Sequence, residues 1–246
     1  MNIGSKIIQG IMIDISCLVA IGMLLIVWQM QDMAGTRKRL EKALVEGEEL
    51  IAYAVEKDTA YAFVSTTGDK KYGDRFLVLN RQEKEEWERS YENNFVGLKP
   101  WKLSLSDIDG DGEQELLTAV LKTTHYDKEE KNRLFIFNYR NGKLIKKWTG
   151  SDIAGRWENF ITGELVNTKG EEIIFITEAE NGQEKLLVYH WFDFGFLMLA
   201  QSEHYNDIVD AEIAGENQIR IIYIDKTKTK KRERLQLRKG NMLKLN

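Results

Sequence analysis

The stretch Ala60–Asn80, AYAFVSTTGDKKYGDRFLVLN, reads as an apolar run, a polar turn, a basic residue and a second apolar run. The same grammar returns at Thr118–Asn138 (TAVLKTTHYDKEEKNRLFIFN), Phe175–Trp191 (FITEAENGQEKLLVYHW) and Ile221–Leu237 (IIYIDKTKTKKRERLQL). Short β-branched and aromatic runs divided by polar turns predict strands joined as hairpins. The basic residue opening the second run is Arg75, Arg133, Lys185 and Arg234, at intervals of 58, 52 and 49. The first two copies also share Thr-Thr after the first run, at Thr66–Thr67 and Thr123–Thr124. A strand-like segment precedes every copy (LIAYAV, WKLSLSD, FITGELV, IVDAEIAG), and another follows copies two to four (GKLIKKW, GFLMLAQ, NMLKLN). After the first copy stands EKEEWERSY, residues 83–91, which reads equally well as helix.

Four strands in each unit of about 50 residues is the arithmetic of a propeller blade. The class expected is therefore all-β, a β-propeller-like array of about four four-stranded blades over residues 50–246, with repeats near 50–100, 101–156, 157–206 and 207–246. A four-stranded sheet has two apolar faces and cannot bury them alone, so neighbouring units must stack. A β-sandwich with irregular hairpins is the rival, and the regular period argues for the propeller. Closure as a ring of four and an open arc completed by a partner or a second copy both remain open.

Composition narrows the function. The chain has 246 residues, 43% of them hydrophobic, so it can build a core. One Cys excludes an intrachain disulfide framework and a Cys-based zinc cluster. With 35 Lys and Arg against 39 Asp and Glu, the net charge of −4 argues against a dedicated nucleic-acid binder.

Ahead of the repeats, a six-residue tail (1–6) leads into residues 7–30, IIQGIMIDISCLVAIGMLLIVWQM, where Asp14 is the one ionisable side chain among 24 residues. At about 1.5 Å per residue such a helix crosses a hydrocarbon layer of roughly 30 Å. A cleaved signal lacks its small-x-small exit near Met30, and Cys17 lies too far inside the run for a lipoprotein. The expectation is an uncleaved transmembrane signal anchor. Asp14 marks either a helix–helix contact or a hydrated position near the interface. Residues 31–49, with Leu40, Ala43 and Leu44 among charges, predict a stalk or linker helix, either a spacer or a docking helix. Arg37, Lys38, Arg39 and Lys42 would hold that side in the cytoplasm by the positive-inside rule. The calcium argument below places it outside, and that orientation is the one adopted.

The segment Asp107-Ile-Asp109-Gly110-Asp111-Gly112-Glu113-Gln114-Glu115 carries the chemistry. Carboxylates at loop positions 1, 3 and 5, a Gly at 6, a carbonyl at 7 and an acid at 9 suit a hard cation that takes many oxygens. An EF-hand also needs a Glu at position 12, which here is Thr118, and no helix pattern flanks the loop. Three Asp so close repel one another unless a cation compensates; a solvated acidic turn is the plainer reading. Counterparts in the other repeats are degenerate: residues 164–172 lose most carboxylates, and residues 212–216 and 55–58 are shorter. One metal is expected, one that stiffens a hairpin.

A DxDGDGxxE loop between the first two strands of a blade resembles the calcium-binding repeat of FG-GAP/VCBS-type β-propellers, as in integrin α-subunits. The resemblance implies ligation by Asp107, Asp109, Asp111 and Glu115, with the Glu113 carbonyl. It covers about ten residues; Glu115 stands where the family usually has Asp, and the Phe-Gly and Gly-Ala-Pro signatures are absent.

Residues 226–239 hold eight basic residues and one acid. They read as a solvated edge strand protected from aggregation, or as a grip for anionic polymer, lipid headgroups or an acidic partner. Trp87, Trp101, Trp148, Trp157 and Trp191 suit packing between blades, or a sugar-stacking surface. His125, His190 and His204 fall in different units without a nucleophile or a metal-ligand spacing. Taken together, these features predict a membrane-anchored, extracytoplasmic recognition or assembly module with one structural Ca2+ and a protein partner or self-association. A carbohydrate-binding module and a propeller-type hydrolase are the alternatives.

Overall fold

The computed structural model describes residues 33–83, 86–149, 152–166, 169–179 and 181–245. The expected membrane anchor at 7–30 and the tail before it lie outside these residues. No helix among the described residues is long and apolar enough to cross a membrane.

Among the described residues one helix, α1 (residues 33–42), precedes sixteen strands. The first sheet is β1 (Glu49–Glu56), β2 (Thr59–Ser65), β3 (Arg75–Arg81) and β4 (Trp87–Asn94). The second is β5 (Pro100–Ser106), β6 (Glu115–Lys122), β7 (Lys131–Arg140) and β8 (Lys143–Thr149). The third meander is β9 (Trp157–Gly163), β10 (Glu172–Glu178), β11 (Glu184–Phe192) and β12 (Gly195–Gln201). The last is β13 (Asp207–Gly215), β14 (Gln218–Ile224), β15 (Lys230–Arg238) and β16 (Asn241–Lys244). Within each meander, consecutive strands pair antiparallel. The third and fourth meanders join through one parallel pair, Gln201↔Asn241, into an eight-stranded sheet that doubles back on itself. The ambiguous segment 83–91 contributes to a strand, β4, because Trp87 is drawn under α1 into the core of the first sheet.

The fold is β-propeller-like, and its repetition is written in the ladder irregularities. Each first strand carries one bulged residue near its start: Ile51, Trp101, Glu158 and Val209. The third-to-fourth ladder of the first three meanders is bulged too, at Ser90, Lys147 and Leu199. A bulge adds twist and re-aims a side chain, so the sheets share curvature where they share little sequence. The spacing of basic residues drifts in the last copy. Arg75, Arg133 and Lys185 sit opposite Val64, Val120 and Thr177 near the ends of their second strands, whereas Arg234 lies mid-ladder opposite Arg220. The residue near the end there is Lys231, opposite Tyr223.

Four apolar cores hold the molecule. Phe63, Phe76, Leu103, Leu116 and Phe137 fill the space between the first two sheets. Ile108, Leu117, Ile136, Trp157, Phe160 and Phe175 fill the next. Leu165, Ile174, Val188, Ile219, Ile221 and Leu235 lie between the third and fourth meanders. The fourth core is not sheet on sheet: Leu40 of α1 packs on Ala60, Ala62, Val64, Leu77, Leu79 and Trp87 of the first sheet. The second strand of each of the first three meanders is thus buried on both faces. Among the described residues no apolar core joins the fourth meander to the first: a helix covers one end of the array, and the outer face of β13–β16 is left bare at the other. The expected stalk is therefore docked, with Leu40 fully buried and Arg37 Nη2 donating to the Leu50 carbonyl at 2.7 Å. Trp101, Trp148, Trp157 and Trp191 all belong to the core between the second and third sheets, so the tryptophans serve packing.

Lys102 ties the first strands together. Its Nζ donates to Asn159 Oδ1 and to the Phe160 carbonyl of β9, both at 2.6 Å, and burial pushes its ammonium down to about 8. The folded chain then holds this proton less tightly than the unfolded chain does. Wild type is expected to gain stability between about pH 8 and pH 10.5 relative to Lys102→Met. Parallel melting curves of the two across that window would reject the assignment. Leu40→Ala should cost about 2–5 kcal/mol and should raise amide exchange in α1 and β1 before it does so in β9–β12.

Candidate metal centre

The acidic loop joins β5 to β6, and its anchor is Glu115, the first residue of β6 and fully buried. A buried carboxylate is costly unless its oxygens are hydrogen-bonded. Glu115 Oε2 accepts the Ile108 N–H at 3.1 Å, and Oε1 accepts from Asn138 Nδ2 and Lys147 Nζ, each at 2.8 Å. Burial raises the Glu115 carboxyl above its usual range, against the pull of Lys147 and Asn138. The rest of the loop winds around its own carboxylates. Asp107 accepts the N–H groups of Asp111 (3.0 Å) and Gly112 (2.9 Å), and Asp111 accepts that of Glu113 (2.9 Å). Gly110 and Gly112 take left-handed φ values of +65° and +89°, which relieves the reversal.

The loop also locks onto the third meander. A Cβ at Gly110 would sit 2.6 Å from the Gly170 nitrogen, and one at Gly170, where φ is +88°, would lie 2.3 Å from the Ile108 carbonyl oxygen. Glu171 N–H donates to the Asp107 carbonyl at 2.8 Å, and Ser106 Oγ donates to Glu171 at 2.5 Å. Both glycines are required because two backbones pass at van der Waals contact.

Of the five residues singled out in the sequence, three converge. Asp107, Asp109 and Glu115 each offer a carboxylate oxygen within 4.8 Å of the others, and among the described residues no other set of three acid, His or Cys groups does so. Asp111 and Glu113 turn outward to Arg140, at 3.0 and 2.5 Å. Backbone donation from Glu113 and then Arg140 hold the Asp111 carboxyl below its usual range. Two protein cations escaped the sequence reading. Besides Arg140, Lys147 reaches both Asp109 and Glu115 and stands 5.6 Å over the Trp191 ring. Burial works against the Lys147 charge, yet its hydrogen bonds to Asp109 and Glu115 prevail and raise its ammonium. The break in alternation at Ile145-Lys146-Lys147-Trp148 was the available signal: Lys147 is the bulged residue of β8. The cation that such closely spaced Asp residues call for is thus supplied in part by the protein itself, through Lys147 and Arg140.

The loop anchor recurs in the third meander. Glu172, first in β10 and fully buried, accepts the N–H groups of Leu165 (2.9 Å) and Val166 (3.1 Å) and faces His190 Nδ1 at 3.4 Å. Glu164 takes the place of Asp107, eight residues before the buried acid, but Val166 takes that of Asp109, six before it, so the second converging carboxylate is missing there.

No protein-family profile and no curated protein matches the chain. Solved structures do. A 6-phosphogluconolactonase-like protein from Bacteroides uniformis superposes with a TM-score of 0.53 at 10% identity, covering 81% of this chain and 54% of its own. This chain thus spans about half the length of that protein. A Xanthomonas protein related to type IV secretion systems (TM-score 0.33, 12% identity, 83% of this chain and 95% of its own) is also similar. So is a second lactonase-like protein, from Bacteroides fragilis (0.30, 10% identity, 81% and 83%). At such identities the first likeness supports the β-propeller-like fold alone, and the other two carry no further weight.

Gly170→Ala should destabilise the chain by on the order of 1–3 kcal/mol, from a Cβ forced against Ile108 at positive φ. A melting temperature within a degree of wild type would show that the two loops are not interlocked.

Proposed function

We propose that the chain is a membrane-anchored recognition or assembly module whose β-propeller-like domain, read as four blades, carries one structural calcium. The observation that supports the metal is the convergence of Asp107, Asp109 and Glu115. The donor set fits a hard cation: three carboxylate oxygens come from one strand–loop–strand unit, with Glu115 held rigid by Ile108 and Asn138. Calcium would supply charge neutralisation and rigidity there, and Asp107, Asp109 and Glu115 would hold it. Asp111 and the Glu113 carbonyl, ligands by the FG-GAP/VCBS resemblance, would complete the set only once Asp111 leaves Arg140. A site that competes with Lys147 for Asp109 and Glu115 is a weak site, suited to the high calcium outside the cell. That is the support for an extracytoplasmic domain behind the 7–30 anchor.

Recognition or assembly suits an array with two unlike ends better than catalysis does. A propeller-type hydrolase would call for a carboxylate cluster at the axis apart from the acidic loop, and the one close grouping among the described residues is that loop itself.

Millimolar calcium should raise the melting temperature of the full chain in detergent, and the double variant Asp107→Ala, Asp109→Ala should lose that rise. An unchanged melting temperature in EDTA and in calcium would dismiss the metal. Alkaline carbonate extraction tests the anchor separately: the chain should stay with the membrane pellet.

A further inference from the structure

The basic segment 226–239 does not protect an edge. β15 lies inside its sheet, hydrogen-bonded to β14 on one side and β16 on the other. Alternation along β15 sends Leu235 into the core and Lys230, Arg232, Arg234 and Arg238 to the opposite, outer face, where all four are exposed. Residues two apart on a strand stand about 6.8 Å from one another. The row therefore sets four cations, with Gln236 between the last two, along about 27 Å. Ile222 and Ile224 lie opposite Arg232 and Lys230 and make a flat apolar floor beside the row.

This face is uncovered, the one outer sheet face of the array with no helix or sheet upon it among the described residues. An open stack needs a polar terminal face for solubility, and a mixture of charges would meet that need. What is present is one sign in a line. The side chains of Arg232 and Arg234 have no hydrogen-bond or ion-pair partner among the described residues, and Arg234 sits directly opposite Arg220 in the ladder. Like charges so placed cost stability. Arg220 is neutralised by Glu212, and Asp207 and Asp210 stand on β13, opposite Ile224 and Ile222 and two strands from the row. Arg238 donates to Gln236, along the row rather than across it. The arrangement is unfavourable for the free protein and complementary to a regular succession of anions.

We propose that the outer face of β13–β16 is a docking surface for a linear phosphate-bearing polymer, gripped by Lys230, Arg232, Arg234 and Arg238. A single phosphate would meet only one or two of these groups, whereas a chain of phosphates engages them together and releases its condensed counterions.

Linear polyphosphate added to the full chain in non-ionic detergent should bind, as followed by titration calorimetry, and orthophosphate at equal phosphorus concentration should not. Arg232→Gln with Arg234→Gln should weaken binding on the order of tenfold or more at low salt, and should lower the salt slope by about 1.4. Arg232→Lys with Arg234→Lys should keep most of both. The Gln variant should melt no lower than wild type without ligand, since it relieves Arg220. Absence of polyphosphate binding, or binding indifferent to the Gln pair, overturns the proposal. So does a pattern in which phosphatidylglycerol vesicles bind through these arginines and polyphosphate does not.

Discussion

A buried carboxylate at the head of a second strand governs the candidate site. Glu115 is withdrawn from water and is tolerable there because Ile108, Asn138 and Lys147 satisfy its oxygens. Meeting that requirement pulls the backbone at Ile108 down onto β6 and folds the intervening residues into a tight loop, with Asp107 and Asp109 facing the same point as Glu115. Glu172 imposes the same condition on Leu165 and Val166 one unit later. In the outer units neutral groups take the place: Thr59 faces Asn80, and Gln218 faces Gln236. The acids occupy the two inner units, where both neighbouring sheets exclude water.

The second governing condition is that each sheet has two faces to cover. Among the described residues, three cores between sheets and one between α1 and the first sheet satisfy it everywhere except at the outer face of β13–β16. Helix α1 therefore serves as an end cap on the first sheet. The far end is covered by charge instead of by packing, with the acids gathered on β13 and a basic row of one sign along β15.

The strands were largely legible in the sequence because the apolar runs and turns recur in all four units. The first-to-second-strand loop was legible because calcium-type spacing is local. What failed to show were relations between distant segments. EKEEWERSY is charged enough to resemble a helix, and only the burial of Trp87 beneath α1 draws its second half into a strand. The segment around Leu40 resembles a spacer until the first sheet offers it an apolar face. Lys147 reads as one more exposed lysine until the bulge, marked in the sequence only by the broken alternation at Lys146-Lys147, turns it into the acidic loop. The basic residues of β15 look like edge protection as long as the position of β16 is unknown.

The central chemical claim is that a divalent ion can displace Lys147 and sit among Asp107, Asp109 and Glu115, close to Trp191. Terbium, a luminescent stand-in for calcium, tests it directly by emission sensitised through tryptophan in the full chain. The account requires saturable emission that calcium quenches by competition and that disappears when Asp107 and Asp109 are replaced. Emission that persists in that variant, or none at any terbium concentration the chain tolerates, would contradict it.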